Sequence, residues 1–233
     1  MKNIPDLIPS DINFNLDFSN FNPDDIELDE TINAVFIIDT SYSVMDYVQE
    51  LNYAFNDFTE SMQKSHIAEK LFVSVIEFNY KPEVVSGFRP VTSIPQMDFS
   101  KRIGGATALY DAVHLGITNA VDYRENLENS GVETKTMIFV ITDGEDNNSK
   151  KSAYQVKKLL NKIRSDERSA FSFTTILFGV GHDADFKKAK DAMDFEHLAQ
   201  IGTSGDEIKK MIGFISQSIS STSAGIPNAT PIF

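Results

Sequence analysis

Four apolar runs stand out along the chain. Ala34 to Ile38 reads Ala-Val-Phe-Ile-Ile and ends in Asp39, and similar runs recur at Leu71 to Phe78, Thr136 to Thr142 and Phe171 to Gly179. Continuous apolar runs of this length suit strands buried on both faces of a parallel sheet. Between them lie amphipathic stretches at Val44 to Gln63, Ala108 to Tyr123 and Ala153 to Arg164, where Val156, Leu159, Leu160 and Ile163 share one helical face. A last helix is predicted over Asp206 to Ser220, with two acids at its positive N-terminal end and Met211, Ile212, Ile215 and Ile219 on its apolar face. Strand and helix alternate, which predicts an α/β doubly wound fold with helices on both sheet faces.

Two weaker signals refine the outline. Lys81-Pro82 followed by Val84-Val85, within Asn79 to Phe88, predicts a turn into a short antiparallel edge strand, because Pro is confined to such edges. Glu196 to Gly202 is short and mixed, so a final strand before the last helix is poorly marked. Residues 1–30 carry Pro5, Pro9, Pro23 and many Asn and Asp, and are read as an extended acidic arm in which Phe14, Leu16 and Phe18 alternate as in a short strand. Residues 31–220 form the domain. Residues 221–233 are read as an uncharged Ser/Thr/Pro tail ending in Ile232-Phe233.

Charge and composition narrow the function. The 233 residues are 41% hydrophobic and 24% charged, as expected of one globular domain with tails. Of the net charge of −13, the first thirty residues supply −7, since eight acids there face Lys2 alone. Nucleic-acid phosphate would be repelled, so no nucleic acid is expected as a partner. With no cysteine, disulfides, thiolate zinc sites and cysteine nucleophiles are excluded. Met1 to Ser10 lacks the apolar core of a Sec signal, and no run approaches the roughly 20 residues that span a bilayer. A soluble cytoplasmic protein is expected, with its oligomeric state open.

Candidate chemistry collects at predicted strand ends, where open α/β sheets bind ligands. Asp39-Thr40-Ser41-Tyr42-Ser43 follows the first run, Asp143-Gly144 follows the third, and Gly104-Gly105-Ala106-Thr107 is a glycine turn leading into a helix. Magnesium takes six oxygen ligands and keeps several waters, and two serines, a threonine and one or two carboxylates meet that demand. A metal held mainly by neutral hydroxyls keeps much of its charge and seeks an acidic ligand from outside.

Asp39-x-Ser41-x-Ser43, Thr107 within Gly-Gly-Ala-Thr-Ala-Leu-Tyr-Asp-Ala, and Thr142-Asp143-Gly144 together resemble the metal-ion-dependent adhesion site (MIDAS) of von Willebrand factor A domains, over about Asn33 to Ser220. The resemblance implies a Rossmann-like, mostly parallel six-stranded sheet of order 3-2-1-4-5-6, with one antiparallel edge strand. It implies Ser41, Ser43 and Thr107 as hydroxyl ligands of Mg²⁺ (or Mn²⁺ or Ca²⁺), Asp39 and Asp143 acting directly or through water, and a protein partner whose Asp or Glu completes the shell. It implies an adaptor rather than an enzyme. Stand-alone domains of this type are similar to intracellular bacterial members, some of them associated with tellurium resistance. Tyr42 departs from the pattern: the family commonly has Gly there, and the ring either shades the metal or adds to the partner surface.

Competing chemistries are less well supported. Gly179-Val180-Gly181-His182-Asp183-Ala184 superficially fits a dinucleotide fingerprint but does not follow the first strand, so an ordinary turn is expected. Asp39-Thr40 is similar to the start of an aspartate-nucleophile site, and a Mg²⁺-dependent phosphohydrolase is the enzyme alternative. Ser41 stands where that chemistry needs a second acid, leaving proton transfer without an agent. His66, His114, His182 and His197 form no metal-ligand pair. Glu145 to Asn148 is expected to be a solvated acidic rim and to cap a helix from Ser149 onward.

Overall fold

A computed structural model describes residues 29–166 and 172–225. The Phe14 to Phe18 strand, the rest of the arm up to residue 28, Phe171 and the Ile232-Phe233 tip lie outside the described residues. Among the described residues, one sheet of six strands has β1 (Glu30–Asp39) at its centre, with β2 (Leu71–Phe78) and β4 (Glu133–Thr142) parallel on either side. β5 (Phe173–Val180) and β6 (His197–Ile201) extend the parallel run, and β3 (Pro82–Pro90) closes the other edge antiparallel to β2. The order is β3-β2-β1-β4-β5-β6, so the expected doubly wound, Rossmann-like architecture is present.

The alternation of side chains along β1 divides the apolar interior in two. Ile32, Ala34, Phe36 and Ile38 join the layer under α1 (Val48–Gln63) and α5 (Gly205–Ser223), while Val35 and Ile37 join the layer under α2 (Leu109–Asn129), α3 (Ala153–Arg164) and α4 (Phe186–Met193). Both faces are filled, which is why the run reads as continuously apolar. Phe36 anchors the first layer, its ring centroid 5.1 Å from Phe55, 5.1 Å from Phe58 and 5.3 Å from Phe139. In the second, α2 approaches so closely at Gly116 that a Cβ there would collide with Ile37.

Several element limits differ from the sequence reading. The single helix expected over Val44 to Gln63 is a 3₁₀ turn, Tyr42–Asp46, followed by α1, with a break at Tyr47 (φ −133°, ψ 8°). The turn closes with short-range bonds, Val44 N to Ser41 O and Tyr47 N to Val44 O. α2 continues six residues past Tyr123, β4 starts three before Thr136, and α5 runs to Ser223, three residues into the stretch read as tail. The helix after the acidic rim starts at Ala153 rather than Ser149. Ser152 caps it, and Gln155 Oε1 accepts from the Ser152 N–H at 2.9 Å. β6 does form at the weakly marked final strand. No described helix is long and apolar enough to cross a membrane.

Candidate metal centre

β1 and β4 are neighbours, so their carboxyl ends bring Asp39 and Thr142-Asp143 together. Asp39 Oδ1 accepts from Ser41 N at 2.8 Å, and Oδ2 accepts from Thr142 Oγ1 at 2.6 Å. Ser41 Oγ lies 3.2 Å from Ser43 Oγ, which donates to Asp143 Oδ1 at 2.7 Å. Asp39, Ser41, Ser43 and Asp143 thus form one hydrogen-bonded cluster across the two strand ends.

Thr107 arrives on the adjoining turn. That turn bends through Gly104 and Gly105, both at positive φ (150° and 76°), a region open to glycine at little cost. Gly104 N bonds Thr40 O at 2.9 Å, docking the turn on the end of β1. Gly144 faces the Thr107 hydroxyl, whose Oγ1 lies 3.6 Å from the place a Cβ on Gly144 would take. Four of the five residues singled out in the sequence therefore meet in one cluster on the carboxyl edge, and the fifth, Thr107, stands against Gly144, next in the chain to Asp143.

Electrostatically the cluster is short of positive charge. Asp39 is 1% exposed. Burial pushes its pKa up to about 6, against the lowering effect of the Thr142 and Ser41 bonds, and the Asp143 charge adds to the rise. Asp143 is also raised by burial. No Lys or Arg among the described residues offsets either carboxylate. The buried Tyr47 hydroxyl sits beside Asp143 and interacts with its carboxylate, and burial, followed by the Asp143 and Asp39 charges, raises its pKa. One buried and one half-buried carboxylate with three hydroxyls form a hard-oxygen donor set that fits a divalent cation such as Mg²⁺. No group of three or more His, Cys, Asp or Glu that could hold a metal occurs among the described residues, so any site here depends on hydroxyls.

Supporting residues were less visible in the sequence. Asn147, read there as part of a solvated rim, accepts from Thr107 N at 2.8 Å, while Thr107 O accepts from Asn147 N at 3.0 Å and Asn148 N at 3.2 Å. Asp146 Oδ1 accepts from Tyr110 N at 3.3 Å, and Asp111 accepts from Lys150 N and Lys151 N at 3.0 and 2.8 Å. The loop after β4 thus clamps the start of α2. Gly179, from the dinucleotide-like string, is packed against Phe186, and Gly181 takes a left-handed turn (φ 84°).

The family model described as von Willebrand factor type A domain matches residues 33–225. This chain belongs to the von Willebrand factor A family. Among curated proteins, no relative matches it. Proximal thread matrix protein 1 from the mussel byssus superposes with a TM-score of 0.57 at 16% identity, over 82% of this chain and 46% of that one. A further structure of that protein, with a zinc-occupied MIDAS motif, gives 0.54 at 17% identity, over 81% and 45%. The minor pilin PilB of Streptococcus sanguinis gives 0.59 at 12%, over 84% and 63%. At these identities the likeness is one of fold, and the chain spans less than two thirds of each of these proteins. The von Willebrand factor A domain commonly mediates metal-dependent protein interactions through its MIDAS.

Proposed function

We propose that this chain is a metal-ion-dependent protein-binding module, an adaptor that grips a partner's Asp or Glu through a divalent cation held by Asp39, Ser41, Ser43, Thr107 and Asp143. The observation that carries the reading is the hydrogen-bonded cluster of Asp39, Ser41, Ser43 and Asp143 at two adjacent strand ends, with Thr107 against the neighbouring Gly144 and a buried carboxylate that no cation offsets. When bound, the ion supplies a positive centre that a partner carboxylate completes. Asp39 and Asp143 balance its charge, while the three hydroxyls donate lone pairs without neutralising it. Thr142 and Ser41 N hold Asp39 in place, and the Tyr47 phenol supports Asp143. The reading takes Mg²⁺ as the ion, with Mn²⁺ or Ca²⁺ as substitutes, and assigns no catalysis.

A cytoplasmic location and an intracellular bacterial setting belong to the same reading. The absence of cysteine agrees with them. The similar structures, a byssus matrix protein and a pilin, lend no support to either.

Terbium luminescence tests the metal site directly. The chain has no Trp, so ultraviolet sensitisation of bound Tb³⁺ must come from tyrosines such as Tyr47. Tb³⁺ should light up on the wild type, be displaced by Mg²⁺, and stay dark on Asp39→Ala and Thr107→Ala. Equal luminescence on all three would place the metal elsewhere and defeat the proposal.

A further inference from the structure

The strand order β2-β1-β4-β5 lays three kinds of surface side by side along the carboxyl edge. After β2 and β1 come Tyr80, 55% exposed, and Tyr42, 66% exposed, with Met45 at 56% three residues on from Tyr42. Both rings lie over the Gly104-Gly105 turn: Tyr42 is 3.8 Å from the place of a Cβ on Gly104, and Tyr80 is 3.0 Å from that of Gly105. Asn148 Nδ2 donates to the Tyr80 carbonyl at 2.7 Å, tying this aromatic shelf to the loop after β4. The hydroxyl and carboxylate cluster lies between β1 and β4. Beyond it, after β4 and β5, stand Glu145 and Asp183, both exposed. Glu145 Oε1 accepts from Asp185 N at 3.2 Å, joining the two loops, and the Asp183 charge reaches Asp143.

The edge therefore runs from apolar, through the candidate cation, to negative. We propose that it docks an extended segment of a partner protein carrying an acidic residue, with an apolar or aromatic side chain two positions to one side and a Lys or Arg two positions to the other. The spacing follows from sheet geometry. Strands lie about 4.8 Å apart, so β2 and β5 are each about 7 Å from the middle of the β1–β4 pair. An extended chain advances about 3.3 Å per residue and turns every second side chain to one face, so two residues cover that distance. Tyr42 and Tyr80 supply rigid contact area of the kind that dominates interfaces. Glu145 and Asp183 match the base. The inference rests on the metal-gripping reading above, which supplies the anchor for the acid.

Selection from displayed nine-residue peptides with a fixed central Asp tests it, using the full chain in Mg²⁺ and elution with EDTA. Eluted peptides should carry an apolar or aromatic residue two positions to one side of the Asp and Lys or Arg two positions to the other, in one chain direction. Tyr42→Ala and Tyr80→Ala should each weaken a selected peptide about tenfold in a polarisation titration. Glu145→Lys combined with Asp183→Lys should change the preferred charged residue from Lys or Arg to Asp or Glu, an exchange that mere damage to the fold would not produce. EDTA-eluted peptides with no flanking preference would overturn the flank assignment and leave the metal grip standing. Peptides that bind equally in EDTA, or no binders at all, would overturn both.

Discussion

The middle and the end of β1 are built on opposite principles, although they are adjacent in the chain. From Ala34 to Ile38 every side chain is apolar and fully buried, and each contributes to one of the two layers. From Asp39 to Ser41 the chain stays buried but turns polar, and its groups are held by hydrogen bonds to the ends of β2 and β4 and to each other. The middle gains free energy from burial. The end loses some, because a desolvated carboxylate without a cation favours its neutral form. The separation means that the fold can hold its shape while the edge stays in want of a ligand.

The sharpest way to break the comparison is in the middle. Phe36→Ala removes the ring that Phe55, Phe58 and Phe139 surround. Large-to-small changes of this kind cost about 3–5 kcal/mol, read as a lower urea midpoint. The remaining folded protein should bind Tb³⁺ with unchanged affinity. A metal site that vanished along with the ring would show that the two regions are not separable.

Next in size is the pH response of Asp39. Its folded pKa, about 6, lies above the ordinary value of 3.8, so between those values the folded chain holds a proton that the unfolded chain has released. Stability from this group is therefore present at low pH and falls as pH rises through that window. A shift of about two units corresponds to roughly 3 kcal/mol. In EDTA, Asp39→Asn should be more stable than wild type at pH 8 and should lose that advantage by pH 4, as read by urea unfolding. Adding Mg²⁺ at pH 8 should raise the wild type and leave the variant where it was. A wild type whose stability relative to the variant is flat with pH would refute the idea that the edge is strained by an unbalanced charge.

The same contrast explains what was legible in the sequence. The limits of β2 and α3 agree with its periodicity because burial on one or two faces writes itself into every residue of an element. The motif residues at the ends of β1 and β4 are visible because each follows an apolar run. Their adjacency came from the family resemblance, since nothing local says which strands pair. Hidden features depend on partners distant in sequence: Asn147 accepts from Thr107 N, 40 positions away, and Asn148 donates to the Tyr80 carbonyl, 68 positions away. Glu145 to Asn148 reads as a solvated rim by composition, yet three of its members, Asp146, Asn147 and Asn148, clasp the start of α2.

That clasp gives the smallest expected effect on stability and a larger one on the site. Asn147 is exposed, and its side chain makes one bond of consequence, accepting from Thr107 N at 2.8 Å. Asn147→Ala should therefore cost only about 1 kcal/mol in a urea melt. The backbone bonds from Asn147 N and Asn148 N to Thr107 O survive the substitution, so the turn stays docked but loses one of its ties. Groups that orient metal ligands without touching the metal are worth about 10–100-fold in affinity when removed. Tb³⁺ should accordingly bind Asn147→Ala at least tenfold more weakly while the melt barely moves. Asn147→Asp keeps an acceptor in the same place and should recover most of the affinity. Unchanged affinity in the Ala variant would mean that the glycine turn and its bond to Thr40 O position Thr107 unaided, and that the acidic loop is no more than the rim its composition suggests.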